Sequence, residues 1–476
     1  MSVDLSLGGL YYASEWIIRI VMLIYVPQRR TPAAARSWLL LIFLLPWPGF
    51  LLYLLIGRPY VARRRIELQR KVSDLIRSAP QVLPHTSALE AVELPPPWTQ
   101  VATLAYNLAY FRLRGGNHFE LLPDYQNSVD RLCADIDQAK HHVHVLYYIF
   151  ADDRTGNQVA DAVMRAAARG IQCRVLMDGR GSKRAMKTLA PRLREAGVET
   201  TALLPFGILW RKSARFDLRN HRKIAVVDGH IGYTGSQNIV NADFKRGLVY
   251  EELVTRVVGP VVAQLQTVLL ADRYAETLDA PTLDQLFPEI APAGDALAMA
   301  VPSGPSYPYS NNLELVIALI NTAQRRIVIT SPYFVPSDAL IQALQLAVLR
   351  GVEVHIIGCK QIDQMLVGLA QRSYYEQLLA TGVRIHLYYK AFLHAKHLTF
   401  DDNIALIGSS NMDIRSFSLN EEISLLIHDP ALVAQLKTIQ ERYFANAEGL
   451  TADSWSKRPP AVRVLQNIAR LTDSLL

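Results

Sequence analysis

Hydrophobic positions divide this chain into two regimes. Near the N-terminus they run almost unbroken, in LSLGGLYYASEWIIRIVMLIYV (residues 5–26) and SWLLLIFLLPWPGFLLYLLI (residues 37–56). The second stretch carries no charge over 20 positions. At 1.5 Å per helical residue it would cover about 30 Å, the thickness of a hydrocarbon core. The first stretch carries Glu15 and Arg19, four residues apart, which meet on one helix face and are expected to pair. The pattern predicts two N-terminal transmembrane helices, with PWPG (residues 46–49) marking a kink or a re-entrant turn. A cleaved signal peptide is disfavoured, because the start lacks basic residues and the second apolar run follows at once.

Beyond residue 115 the apolar runs become short and alternate with helical patterns. They also recur. AKHHVHVLYYIF (139–150) is matched by AQRRIVITSPYF (323–334), each an apolar strand ending in aromatics. ARGIQCRVLMD (168–178) is matched by LRGVEVHIIGC (349–359), each a helix-ending glycine followed by a strand. EAGVETTALL (195–204) is matched by ATGVRIHLYY (380–389). Strands alternating with helices imply an α/β sandwich around a mixed sheet, here in two halves related by a pseudo-twofold repeat. The expected organisation is a membrane helical hairpin over 1–58, a basic, proline-containing connector over 59–115, a first half over 116–278, a linker over 279–300 and a second half over 301–476.

The polar positions that interrupt this pattern recur with it. In NHRKIAVVDG (220–229), strand alternation puts His221, Lys223, Ala225 and Val227 on one face. Asp228 and Gly229 suit a type I′ turn. The returning HIGYTGSQN (230–238) puts Ser236 and Asn238 on one face. Alone, such a hairpin reads as an incidental surface His–Lys pair. LHAKHLTFDDNIALIGSSN (393–411) makes that reading untenable, because His394, Lys396, Asp401, Ser409 and Asn411 each lie 173 positions after their counterparts. YEELV (250–254) and NEEIS (420–424) then place Glu252 and Glu422 in matching positions.

These residue types suit displacement at a phosphodiester. The reaction needs a nucleophile, an acid for the leaving oxygen and positive groups around the remaining oxygens. Two imidazoles supply the first two. Lys223, Lys396 and the side chains of Ser236, Asn238, Ser409 and Asn411 are the candidate phosphate holders, so the set requires no metal and no cofactor. Glu252 and Glu422 are the candidates for fixing the histidine tautomers. Asp228 and Asp401 belong to the motif, yet alternation turns them off the His/Lys face, which suits a role in the turn. The repeat is too symmetric to say which histidine attacks.

Composition narrows the partners. The net charge is +7 and the pI near 9.2, which favours an anionic partner, either nucleic acid or an anionic membrane surface. Lys and Arg are scattered, without the extended run that tracks a nucleic-acid backbone. Arg29, Arg30 and Arg36 lie between the two apolar stretches; Arg58, Arg63, Arg64, Arg65, Arg70 and Lys71 follow the second. The positive-inside rule then puts the main body in the cytoplasm. Cys133, Cys173 and Cys359 form no C-x-x-C pair and read as buried free thiols. His141, His142 and His144, at a strand entrance, read as surface residues rather than metal ligands. FGILWRKSARFDLRN (206–220) fits either a segment resting on lipid headgroups or an ordinary cover over the site. Asp413 and Arg415 are expected to form a structural pair.

H-x-K-x4-D, then six residues, then G-S-x-N, occurring twice, resembles the phospholipase D superfamily from about residue 116 to the C-terminus. With the N-terminal apolar stretches, SGPS (303–306), SPYFVP (331–336) and NMDIRSFSLNEE (411–422), the chain resembles the bacterial cardiolipin synthases. Two positions depart from that pattern. Ser331 stands where threonine is more usual, and His397 where an apolar residue is usual. The resemblance implies a multi-pass protein of the bacterial inner membrane and a covalent phosphohistidine. It makes His221 the nucleophile and His394 the acid, then base. One phosphatidylglycerol would give up its phosphatidyl group and release glycerol, and a second would accept that group to form cardiolipin. Phosphatidylethanolamine is a chemically possible donor. A phosphodiesterase acting on nucleic acid is disfavoured by the membrane stretches, and an inactive membrane scaffold by the intact motifs.

Overall fold

The computed structural model describes residues 7–30, 32–57, 66–71, 74, 93–205, 218–279 and 286–471. Arg58, Arg63, Arg64 and Arg65, the aromatic and basic segment 206–217, and residues 280–285 of the expected linker lie outside the described residues.

Strand order shows the repeat directly. The first half lays down Arg114–Leu122, Val254–Val258, Ile231–Gly235, Lys223–Val227, His142–Tyr147, Gln172–Asp178 and Glu199–Leu203 as neighbours. The second half lays down Ala296–Ser303, Asn420–His428, Ile404–Gly408, His397–Phe400, Arg326–Thr330, Glu353–Cys359 and Arg384–Tyr388 in the same order, with Ala447–Leu450 added at its edge. The halves join edge to edge through the antiparallel pair Arg114–Leu122 and Ala296–Ser303, where Arg114 faces Ala298. With the short strand Arg219–Asn220, which pairs with Asn420–His428, the described residues form one mixed sheet of 16 strands.

The outer strands of each half are parallel and are joined by helices, so helices cover their faces. Gly170 and Gly351 end two of those helices with φ of +84° and +87°, a conformation that glycine adopts without strain. In the strand Lys223–Val227, Ile224 and Val226 join one core cluster, and Ala225 and Val227 the other. The expected alternation is therefore realised there.

The same two-sided cover corrects the reading of the strand-entrance histidines. His141 is exposed, but His142 and His144 are buried inside the sheet. The Arg174 guanidinium donates to His144 Nε2 at 2.9 Å, which leaves Nδ1–H to donate to Gln266 Oε1 at 3.1 Å. The Gln266 amide donates in turn to His142 Nε2 at 3.2 Å. Burial pushes the His142 imidazole down to about 4 and that of His144 well below its ordinary value. Their partners on helix Val261–Thr277 and on the neighbouring strand could not be read from local spacing. Cys133, Cys173 and Cys359 are buried free thiols, as expected.

At the N-terminus, helix Leu7–Tyr25 has 19 residues and is long and apolar enough to cross a membrane. Most of its large apolar side chains point outward. Ile18 and Met22 turn inward to pack with Val26, Trp38, Ile42 and Tyr53. Glu15 and Arg19 pair at 3.4 Å. The second apolar stretch is divided into helices Pro32–Leu44 and Pro46–Leu52, followed by a π-helical turn, Tyr53–Gly57. The cause is Pro46, which drives Leu45 out of the helical region, to φ −133° and ψ 80°. Gly49 lets the broken arm fold back closely, since a Cβ there would lie 2.9 Å from Ile42 Cα. Among the described residues, helix Leu7–Tyr25 alone meets the spanning length.

Candidate active site

Two short parallel ladders carry the chain across from each half to the other. Arg219–Asn220 pairs with Asn420–Glu421, and Phe392–Leu393 pairs with Tyr250–Glu251. Immediately after each ladder comes a motif histidine. The His221 N–H donates to the Glu421 carbonyl at 2.8 Å, and the His394 N–H to the Glu251 carbonyl at 2.8 Å. Each histidine is thus stitched through its own backbone to the opposite half.

The side chains complete the exchange. His221 Nδ1 lies 2.9 and 3.0 Å from the two carboxylate oxygens of Glu422. His394 Nδ1 lies 2.7 Å from Glu252 Oε1. A carboxylate at Nδ1 holds that proton and leaves the Nε2 lone pair available. Neither histidine sits in a regular strand, contrary to the simple alternation reading. Lys223 instead folds back to donate to the His221 carbonyl at 2.6 Å, and Lys396 to the His394 carbonyl at 2.7 Å. The two lysines reach the site by this local turn rather than by sharing a strand face.

Burial dominates the electrostatics. It pushes the His221 imidazole down to about 4, against the opposing pull of Glu422. Burial lowers the His394 imidazole as well. Lys223 is pushed down to about 7 and Lys396 to about 8, in both cases mainly by burial, and the charge of Lys396 lowers Lys223 further. Burial alone would raise the two carboxyls. For Glu422 the pull of His221, Lys223 and Ser409 outweighs it, and for Glu252 that of His394, Lys396 and Ser236, so both end lowered and ionised. The site therefore brings together two imidazoles whose uncharged form burial favours, two ionised carboxylates and two lysines whose charges crowd one another.

The four expected phosphate holders divide. The Ser409 hydroxyl donates to Glu422 Oε2 at 2.5 Å and accepts from the Ile423 N–H at 3.0 Å. The Ser236 hydroxyl accepts from the Leu253 N–H at 2.9 Å and donates to the Leu253 carbonyl at 3.2 Å. Both serines thus position the carboxylate strands rather than standing free for a phosphate. Asn238 accepts from the Ile149 N–H at 3.2 Å, which leaves its NH₂ as the end able to donate. Asn411 is buried with its side-chain oxygen unpartnered.

Asp228 and Asp401 stand outside this set. Asp228 adopts φ +53° before Gly229 at +68°, the expected I′ geometry, and its carboxylate accepts from the N–H groups of Lys140, His141 and His142. Asp401, at φ +54°, accepts in the same way from Gln324, Arg325 and Arg326. They pin each hairpin to the start of the neighbouring strand. Asp413 caps the short helix Ile414–Ser418, accepting from the Ser416 N–H at 2.6 Å, and burial raises its carboxyl to about 6. The charge of Arg415 opposes that rise.

Four contributors went unassigned in the sequence. The Tyr148 ring lies 4.8 Å from that of His221 and beneath the Lys223 ammonium at 5.6 Å. Tyr250 and Tyr333 flank His394, with ring centroids 5.3 and 6.4 Å away. Tyr148 and Tyr333 were signalled by the aromatic ending shared by LYYIF and SPYF, whereas Tyr250 opens YEELV and carried no such signal. Arg222 is buried, donating to the Glu422 carbonyl and to Glu421, each at 3.0 Å, and bonding Asp272 as well. Its counterpart by position is Ala395, so the repeat itself concealed it. Among the described residues no group of three or more His, Cys, Asp or Glu side chains could hold a metal ion.

Comparison with known proteins agrees with this arrangement. The family described as "Cardiolipin synthase, PLD-like domain" matches residues 132–271 and 316–444, and "Phospholipase_D-nuclease N-terminal" matches residues 16–58. The chain is 32% identical to Cardiolipin synthase A of Erwinia tasmaniensis, over 96% of this chain and 95% of that protein. It is also 32% identical to Cardiolipin synthase A of Pectobacterium atrosepticum, over 97% of each. The fold is similar to that of phosphatidylserine synthase from Haemophilus influenzae Rd KW20, with a TM-score of 0.61 and 16% identity, covering 79% of this chain and 100% of that one.

Proposed function

Because the chain belongs to the phospholipase D-like cardiolipin synthase family, we propose that its two cross-held histidines transfer a phosphatidyl group from one phosphatidylglycerol to another. His221 Nε2 attacks the donor phosphorus. His394 enters this step as imidazolium, with Glu252 on Nδ1 and its second proton on Nε2. The bond from phosphorus to the glycerol oxygen breaks, Nε2 gives that oxygen its proton, and glycerol leaves. A hydroxyl of the second phosphatidylglycerol then passes its proton to His394 and attacks the same phosphorus. The phosphorus–nitrogen bond breaks, His221 is restored and cardiolipin departs. Lys223, Lys396 and the amides of Asn238 and Asn411 surround the oxygens that carry the charge. Ser236 and Ser409 act one step back, through the glutamates.

The observation that carries this reading is the exchanged pair of His–Glu contacts, which presents two Nε2 atoms at one seam. A further detail supports the division of roles. Glu422 is shared among His221, Ser409 and Asn420, whereas Glu252 Oε2 makes no hydrogen bond. A carboxylate that is less shared stabilises imidazolium better. This favours His394 as the proton carrier and His221 as the neutral nucleophile.

The membrane reading is a hairpin over 1–58 in which Leu7–Tyr25 spans and the arm broken at Pro46 is re-entrant, with the catalytic body on the cytoplasmic face. The connector over 59–115, the halves 116–278 and 301–476 and the linker 279–300 complete the proposed organisation.

Purified protein supplied with radiolabelled phosphatidylglycerol alone tests the function. The expected products are cardiolipin and glycerol in equal amounts. Phosphatidic acid as the sole lipid product would make the protein a hydrolase. Cardiolipin formed only when phosphatidylethanolamine is added would reassign the donor. Mass spectrometry of the His394→Asn protein, after incubation with a substrate bearing a good leaving group, tests the nucleophile. An adduct on His221 is expected.

A further inference from the structure

Helix Pro460–Arg470 presents its two faces the wrong way round. A helix on the surface of a globular body normally turns its apolar stripe inward. Here Gln466 and Ala469 are the buried residues, while Val464, Leu465 and Ile468 are 57%, 51% and 56% exposed. Leu471, next in the chain, is 65% exposed. Positions 464, 465, 468 and 471 fall on one helix face. The inward face is held by specific contacts. Arg458 bonds Gln466, Arg463 donates to Glu376 at 3.1 Å, and the Arg470 guanidinium lies 4.4 Å over the Tyr374 ring. The helix could not roll to hide its stripe without breaking these contacts.

The helix packs on Met365–Ala380, whose first residues, Met365 and Leu366, are also exposed. Just before them, Asp363 accepts from the Tyr333 hydroxyl at 2.7 Å, and Tyr333 flanks His394. One neighbouring helix therefore links the C-terminal helix to the surroundings of His394.

We propose that helix Pro460–Arg470 lies in the surface of a bilayer containing anionic lipid, with Val464, Leu465, Ile468 and Leu471 at the acyl boundary, and so holds the active-site mouth against its substrate. Three observations select a bilayer over a second copy of the chain. The chain carries a net charge of +7, which favours an anionic surface over a like-charged partner. The helix that Pro460–Arg470 packs on begins beside a site whose substrate, on the reading above, is a lipid. The same chain carries an apolar N-terminal helix of spanning length.

The test uses the full chain reconstituted in vesicles of phosphatidylglycerol and phosphatidylcholine, with a fluorophore on Ile468→Cys. The native cysteines are buried. Lys187→Cys, exposed on the first half, is the reference. Iodide is expected to quench the label at 468 about fivefold less than the label at 187, and a nitroxide lipid to quench only the label at 468. Equal iodide access at both positions overturns the proposal. So does protection at 468 that follows protein concentration in phosphatidylcholine vesicles, which would mean a second copy. This readout needs no turnover, so it stands apart from the proposed reaction. In the second arm, Val464→Asp with Ile468→Asp is expected to slow turnover of vesicle substrate about tenfold, while turnover in mixed detergent micelles stays within about twofold. Equal loss in both settings overturns the proposal.

Discussion

The two halves carry the same motif at the same spacing, and their surroundings make them unequal. In the first half, His221 is followed by Arg222, a buried guanidinium that binds Glu421 and Asp272; in the second, His394 is followed by Ala395. Glu422 divides its charge among His221, Ser409 and Asn420, and Glu252 divides it between His394 and Ser236. Tyr148 stacks near His221, whereas His394 sits among Tyr250, Tyr333 and Phe392. Ile224 of the first half is replaced by a buried histidine, His397, in the second. A duplication supplies two equivalent imidazoles; on the proposed mechanism, the neighbours that differ between the halves give each a separate task.

The largest effects test whether the halves act as one unit. His221→Ala and His394→Ala are each expected to lower kcat by about 10³-fold or more, and the double variant to lose little beyond either single one. Additive losses, measured with labelled phosphatidylglycerol, would mean two independent sites.

Next come the carboxylates. Glu252→Gln and Glu422→Gln are each expected to cost about 10²-fold or more in kcat. The comparison sharpens with a donor bearing a good leaving group, which needs little acid. Such a donor should rescue most of the first step in Glu252→Gln and little of it in Glu422→Gln. Equal rescue in both would erase the proposed division of labour.

A smaller effect is expected in the pH profile. Lys223 is lowered to about 7 and Lys396 to about 8, so each ammonium is present below its value and lost above it. Because the charged forms hold the phosphate, kcat/KM should fall as pH rises through about 7 to 8. A profile flat to pH 9 would show that neither lysine titrates in the free enzyme.

The smallest prediction concerns His397. It is buried, its Nε2 has no partner, and burial lowers it to about 3. His397→Ile, which restores the residue of the other half, should stabilise the fold by about 1 kcal/mol at neutral pH. The sign with pH follows from linkage. The unfolded chain takes up this proton below about 6.5 and the folded chain does not, so the parent loses stability as pH falls from about 6.5 towards 3. The difference in melting temperature between variant and parent should therefore widen on acidification. A constant difference would mean that His397 is protonated in the fold.

Much of the site was legible because its residues recur at a fixed offset. The histidines, lysines and glutamates and the turn aspartates all carried that signal. The exchange between halves did not, because Glu252 and Glu422 are placed by two-residue ladders that pair segments far apart in sequence. The partners of the serines were hidden for a similar reason. Alternation described a strand, but both strands end at the preceding glycine, and the hydroxyls turn to the carboxylate strands instead. His142 and His144 looked exposed because local polarity says nothing of a partner such as Gln266 arriving from a distant helix. In the membrane segment the absence of charge was plain, but the weight of Pro46 against 20 apolar residues appeared only in the backbone.

The exchanged carboxylates also set a timetable for the newly made chain. A ribosome releases His221 long before it reaches Glu422. Until then the imidazole lacks the group that fixes its tautomer and the ladder that fixes its backbone. On the proposed mechanism, a nascent or truncated first half would lack what its histidine needs to attack a phosphodiester, and reactivity would arrive only with the later half.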